Sequence, residues 1–235
     1  MAKKLVNAWL PHGLALKAYW EGNKKAAIDI HMDDNSITSM PIEIYFRTKE
    51  ELPELEKIAL TLCEGSILDV GAGAGAHSLL LQEKHQVMAL DISSEGVEIM
   101  KTLGVEQSVC EDFLKYKSPE KFDTLLFLMN GIGVAGNLEG LEHYLLQAHL
   151  LTTENGQIIL DSSDLRNGLT ELDFDNEYFG IFNYQLSFEE TMGEKYQWLY
   201  IDQNLLEEIA EKCSWKSEII YEQEDGSYLA RLKKA

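Results

Sequence analysis

Cysteine is scarce: Cys63, Cys110 and Cys213 are odd in number, widely spaced and free of any C-x-x-C pair. Such a set frames neither a disulfide scaffold nor a zinc site, and it fits a reducing, cytoplasmic setting. Positive charge is also short. Twenty Lys plus Arg stand against forty Asp plus Glu, a formal net charge of −20. That balance disfavours phosphate backbones and anionic membrane surfaces, so neither nucleic acid nor a membrane is an expected partner. No run approaches 18 apolar residues, and the segment from Met1 to Pro11 has two lysines but no sustained apolar stretch. The expectation is a chain without export signal or membrane span. Internal repeats and low-complexity tracts are missing as well.

What is present is enough for a sizeable core. At 235 residues the chain is in range of a single domain, burying roughly 70% of its unfolded surface. Ile67, Leu68 and Val70 form a short apolar run suited to a strand buried on both faces, and Gly71, Gly73 and Gly75 follow at once. Glycines here remove the Cβ atoms that would hold a ligand away from backbone. Ala76 to Leu81 suit a helix whose free amides and positive dipole end would face that ligand. The stretch Gly71 to Ala76 also fits the G-x-G-x-x-(G/A) dinucleotide fingerprint, so a nicotinamide cofactor stays open at this point.

From about residue 66 to 161, apolar strand-like runs alternate with helical patterns, which predicts a parallel sheet. The second strand is Gln86 to Asp91, followed by Ser93 and Ser94 as caps and Gly104 as a helix stop. The third lies near Gln107 to Cys110, the fourth runs from Phe122 to Asn130, and the fifth from Gly156 to Asp161. Asn137 caps a helix carrying Leu138, Leu141 and Leu145. Beyond it, Tyr184 to Phe188 and Tyr196 to Ile201 flank a Met192–Lys195 turn and read as an antiparallel hairpin within an insertion of about 178–201. A helix from Asp202 to Cys213 and two strands around Asp225-Gly226 close the chain, the last strand expected antiparallel on an otherwise parallel sheet.

Three carboxylates gain meaning from position. Asp69, Asp91 and Asp112 fall at or near the C-terminal ends of successive strands, the edge where open doubly wound sheets bind ligands. Asp91, 20 residues after Gly71, suits a pair of ribose hydroxyls. Asp112 can accept from an adenine amino group while Ile92 and Phe113 pack on the base, and Asp69 suits a cationic amine.

Leu68-Asp-Val-Gly-Ala-Gly-Ala-Gly75, Leu90-Asp91, Glu111-Asp112-Phe113 and Phe122-Asp-Thr-Leu-Leu-Phe-Leu-Met-Asn130 resemble class I S-adenosylmethionine-dependent methyltransferases, over about residues 50 to 161. The resemblance implies an α/β, Rossmann-like methyltransferase fold: a doubly wound, seven-stranded, mostly parallel sheet of order 3-2-1-4-5-7-6 with strand 7 antiparallel. Residues 51–235 would form that domain, and 1–50 an N-terminal lid or cap. It implies S-adenosylmethionine as cofactor, with the loop of Gly71, Ala72, Gly73 and Gly75 passing the methionyl part, Asp91 on the ribose and Asp112 on the adenine. Asn130 to Gly133 would lie near the methyl group and the acceptor. This stretch lacks the Asp/Asn-Pro-Pro-Tyr/Phe pattern of amino-methylating nucleic-acid enzymes, which with the net charge points to a small-molecule acceptor.

The cofactor's α-carboxylate needs a donor, and arginine occurs only at 47, 166 and 231. Arg47, just before the helix leading to strand one, is the choice. For the acceptor, the candidates are Asn130, Asp161, Trp9 and His31, among aromatic residues crowded into the first 50 positions and the insertion. His12 or His31 could act as base near neutral pH. No dense oxygen-ligand cluster suggests a metal. Two alternatives remain at this level: an NAD-dependent oxidoreductase, and a non-catalytic cofactor-binding protein. The acceptor and the oligomeric state are not legible.

Overall fold

The computed structural model describes residues 2–168 and 178–235. Helix α1 (Ala2–Trp20) is followed by strands β1 (Ala27–Met32) and β2 (Ile37–Pro41), then helix α2 (Glu54–Leu62). The alternating core follows: β3 (Ser66–Val70), α3 (Ala76–Leu81), β4 (Gln86–Asp91), α4 (Ser94–Leu103), β5 (Ser108–Cys110), β6 (Phe122–Phe127), α5 (Leu138–Leu151) and β7 (Thr152–Ser163). After β8 (Ile181–Phe188), β9 (Thr191–Met192) and β10 (Tyr196–Leu199) come α6 (Gln203–Lys212), β11 (Trp215–Glu222) and β12 (Ser227–Lys234).

Seven strands form one sheet in the order β11-β12-β7-β6-β3-β4-β5. The pairs β3/β6, β6/β7 and β4/β5 are parallel, and β12 runs antiparallel to β7 and to β11. Numbered as seven successive strands, this is the expected 3-2-1-4-5-7-6 order with its reversed seventh strand. The helices are bounded by the expected devices at Ser93, Gly104 and Asn137, and by a further cap at Asp202. Ser93 accepts from the Gly96 amide and Gly104 closes α4 at φ +96°, Asn137 caps α5 through the Gly140 amide, and Asp202 caps α6 through the Asn204 and Leu205 amides.

Three expectations need correction. The fourth strand ends at Phe127 rather than Asn130, because Met129 and Asn130 take positive φ, 62° and 52°. The hairpin turn falls three residues early: β8 folds back on the two-residue β9 around Glu189 (φ 50°), with Ser187 opposite Met192. A second sheet, β10-β8-β1-β2 with β9 on β8, was not anticipated. In it, β1 pairs antiparallel with both β2 and β8, so the N-terminal segment and the insertion are joined by backbone hydrogen bonds.

The chain divides into two compact units. The first comprises Met1–Leu52, Gly71–Tyr116 and Asn183–Tyr196. Its core gathers Ala15 and Leu16 of α1, Ile28 of β1, Ile42, Ala74, Ile99 of α4, and Leu186 and Phe188 of β8. The second comprises Pro53–Val70, Lys117–Phe182 and Gln197–Ala235. There Leu125, Leu126, Ile158, Ile159, Leu160, Leu229 and Leu232 are almost wholly withdrawn from water. The buried Trp215 donates its indole N–H to the Leu145 carbonyl at 3.1 Å, which removes the cost of burying that group.

Candidate functional site

In the first unit the glycine turn is held by the end of β4. The amides of Gly71 and Ala72 both donate to the Leu90 carbonyl, at 2.8 and 3.1 Å, and the Gly75 amide closes the turn on the Ala72 carbonyl at 2.8 Å. Gly73 donates its amide to Asp91 Oδ2 at 2.7 Å, while Asp91 Oδ1 accepts the Ser93 amide at 2.8 Å. A carboxylate accepting backbone N–H bonds this short is a strong, charge-assisted tie. Asp91, 8% exposed, therefore fixes the shape of the turn as well as standing at the strand end where a ribose acid was expected. The amides of Gly71, Ala72, Gly73 and Gly75 are thus engaged within the fold.

The three glycines do different work. All have positive φ, 75°, 59° and 87° for Gly71, Gly73 and Gly75. At Gly71 a Cβ would meet no atom within 4 Å among the described residues, so this backbone face is open. At Gly73 it would stand 3.3 Å from Cδ1 of Tyr45, and at Gly75 only 2.8 and 2.9 Å from Val105 and Met100. The Cα face of Gly75 is thus taken up by packing against Met100 of α4 and Val105. Gly96 belongs to the same construction, since a Cβ there would lie 2.7 Å from the Gly73 carbonyl oxygen.

Two side chains from the N-terminal segment join the turn. Tyr45 rests on Gly73, and its hydroxyl is held protonated by burial and by the negative charge of Asp91, with Arg47 opposing. Arg47, the residue expected to meet the cofactor's α-carboxylate, is thereby within electrostatic reach of Tyr45. His12 packs edge-on to Tyr45 at 4.6 Å and to Trp9 at 5.4 Å between ring centroids. The rim is extended by β5. The Glu111 amide donates to the Asp91 carbonyl at 3.0 Å, placing Asp112 and the buried Phe113 just beyond. Asp112 accepts the Leu114 amide on Oδ1 and meets Lys115 at 3.6 Å on Oδ2. Ile92 is partly exposed beside Asp91, and its carbonyl accepts the Cys110 thiol.

In the second unit Asp69 lies at the end of β3, opposite Leu126 of β6 and 2% exposed. Burial and then its charge push the Cys63 thiol up to about 12. Asn130 and Asp161 meet each other. Both oxygens of Asp161 accept the Asn130 amide, at 2.9 and 3.0 Å. The Asn130 side chain donates to the Leu199 carbonyl at 3.1 Å and accepts from Ser162 Oγ at 2.9 Å, and that same oxygen accepts the Ile201 amide. These two residues are a joint tying the ends of β6, β7 and β10. Gly133 is covered by Trp198, whose indole lies 2.5 Å from a Cβ built there.

The other acceptor candidates separate. Trp9 packs with Ile30 on the core side of β1. His31, one residue on, falls on the opposite face and meets Ser187 Oγ at 2.7 Å. Tyr45, Ser93 and Gly96 were missed as site residues; Tyr45 stands two positions before Arg47, and only the fold brings its ring to Gly73. Among the described residues no group of three His, Cys, Asp or Glu could hold a metal ion.

Open backbone at Gly71, a carboxylate at the next strand end and a second acid beyond it fit an adenosyl ligand. A methyltransferase-domain family model matches residues 68–160. A solved S-adenosylmethionine-dependent methyltransferase from Bacteroides fragilis, in complex with S-adenosyl-L-homocysteine, is 35% identical, with a TM-score of 0.89 over 96% of this chain and 94% of that one. With that identity over nearly the whole length, the chain belongs to the S-adenosylmethionine-dependent methyltransferases. A methyltransferase from Clostridium acetobutylicum ATCC 824 (17% identity, 82% and 97% of the chains, TM-score 0.59) shares the fold. So does an amino pentose methyltransferase from Micromonospora echinaspora (11%, 76% and 86%, 0.58). No curated protein matches the chain. Membership sets the nicotinamide reading aside. No helix of the described residues is long and apolar enough to cross a membrane.

Proposed function

We propose that this chain transfers the methyl group of S-adenosylmethionine to a small-molecule acceptor. When bound, the cofactor supplies a methyl group on a positively charged sulfur, open to in-line displacement. The residues of the chain bind, orient and exclude water. Gly71 and Ala72 offer backbone, and Asp91 has lone pairs left for ribose hydroxyls beyond the two amides it accepts. Asp112, Ile92 and Phe113 serve the adenine, Arg47 the α-carboxylate and Asp69 the amine. With so reactive a donor, positioning alone supplies effective molarities of roughly 10⁵ M or more, and a dedicated base is not required.

The observation that carries the reading is the open face of Gly71 beside Asp91, in a turn whose other glycines are closed by packing. The Bacteroides fragilis relative, crystallised with S-adenosyl-L-homocysteine, supports the cofactor assignment. The net charge of −20 and the sequence Asn130-Gly-Ile-Gly133 support a small acceptor over nucleic acid. Three free cysteines support a reducing cytoplasm. We read residues 1–50, paired through β1 with β8, as a cap beside the cofactor turn. A screen of amines, phenols and hydroxylated metabolites with methyl-labelled cofactor tests the activity. Labelled product from a small acceptor is expected, and label transferred only to nucleic acid or protein would overturn the acceptor class.

A further inference from the structure

His12 is 5% exposed, and among the described residues its Nε2 has no hydrogen-bond partner. Leaving a buried nitrogen in that state is costly, and a phenylalanine or leucine in the same space would avoid the cost. Its surroundings indicate what it serves. On one side the ring touches Tyr45, which lies on Gly73 and feels the Asp91 charge. On the other it touches Trp9, whose ring is 5.4 Å from Tyr196, itself edge-on to Tyr184 at 6.2 Å. The next residue, Gly13, comes so close to α4 that a Cβ would stand 2.5 Å from Ser93 Oγ, the residue whose amide binds Asp91. Helix α1 therefore packs against the start of α4 beside Asp91, and His12 belongs to a chain of ring contacts that runs from Tyr45 through His12 and Trp9 to Tyr196 and Tyr184.

We propose that His12 Nε2 hydrogen-bonds the methyl acceptor, orienting a small nucleophile that carries an N–H or O–H group. The inference rests on the methyl-transfer reading and adds the acceptor contact to it. Tyr45 packs against both His12 and Gly73, so the imidazole meets the turn through the Tyr45 ring. Burial keeps the ring neutral, its basicity lowered to about 4, so at neutral pH it orients without adding positive charge beside a sulfonium.

The test is a crystal structure of the S-adenosylhomocysteine complex soaked with 2-aminoethanol, which offers both an amine and a hydroxyl, together with kinetics of His12→Phe and His12→Gln. Expected are a nitrogen or oxygen atom within about 3.2 Å of Nε2, homocysteine-product affinity of His12→Phe within threefold of wild type, and a fall of about 30-fold in kcat/KM for any amine or alcohol that wild type methylates, partly restored in His12→Gln. Nε2 enclosed by the carbon atoms of Trp9 and Tyr45, or unchanged kcat/KM in His12→Phe, would overturn it. Failure of the wild type to bind S-adenosylhomocysteine is a separate result and removes the methyl-transfer reading itself.

Discussion

Two turns of this molecule follow apolar strands and leave extended backbone through positive φ, yet they use their polar atoms in opposite ways. After β3, glycines alone take the left-handed positions, the amides are tied to Leu90 and Asp91, and one Cα face stays open. After β6, Met129 and Asn130 take those positions at a cost of order 1 kcal/mol each. There the Asn130 side chain binds Leu199 and Ser162, and Trp198 covers Gly133. The first turn keeps an open backbone face, and the second joins three segments. Strand-end position alone does not make a residue a ligand contact; what matters is where its hydrogen bonds already go.

The sharpest way to break this contrast lies within the first turn. Gly75→Ala should lower stability by about 3 kcal/mol or more in urea unfolding, because strain at φ 87° adds to contacts of 2.8 and 2.9 Å with Val105 and Met100. Gly71→Ala, strained but unobstructed, should cost only about 1 kcal/mol while weakening S-adenosylhomocysteine binding. Equal losses of stability would erase the distinction.

Protonation provides a second lever, since only the first turn has a buried histidine packed onto its tyrosine. His12 titrates at about 4 when folded and near 6.5 when unfolded. As pH falls from 6.5 the unfolded chain takes up this proton first, so stability drops until about pH 4 and then loses nothing more from this group. The loss amounts to at most about 3 to 4 kcal/mol. His12→Phe should flatten the wild-type slope across that window, as followed by urea unfolding at several pH values; parallel curves would mean that the ring is not desolvated.

Asp91→Ala should weaken S-adenosylhomocysteine by about 1–3 kcal/mol in calorimetry, through lost hydroxyl contacts and a loosened Gly73. Asn130→Ala should instead cost about 1 kcal/mol of stability and leave that affinity within threefold, as fits a joint. A collapse of affinity in Asn130→Ala with stability intact would make Asn130 a ligand contact first and a joint second.

Much of the first turn was legible because its determinants are local. Glycine spacing, the apolar run before it, Asp91 twenty residues on and the caps at Ser93, Gly104 and Asn137 all act within a few positions of themselves. The strand order followed from the family pattern. The Asn130 joint was not legible, since its partners lie at 161, 162 and 199, and nothing near Asn130 announces them. The second sheet escaped for the same reason. Ala-Ile-Asp-Ile-His-Met alternates over 27–32 as a half-buried strand should, but its pairing with residues 184–187 is a long-range event. That pairing puts Trp9 and His31 on opposite sides of β1, although as residue types they look interchangeable for acceptor binding.

The central claim is that the turn from Gly71 to Gly75, drawn onto Asp91, holds an adenosyl cofactor. Calorimetric titration of the wild-type chain with S-adenosylhomocysteine, and separately with NAD, tests it most directly. Saturable one-to-one binding of the first and no heat from the second are expected. Binding of NAD alone, or of neither, would contradict it.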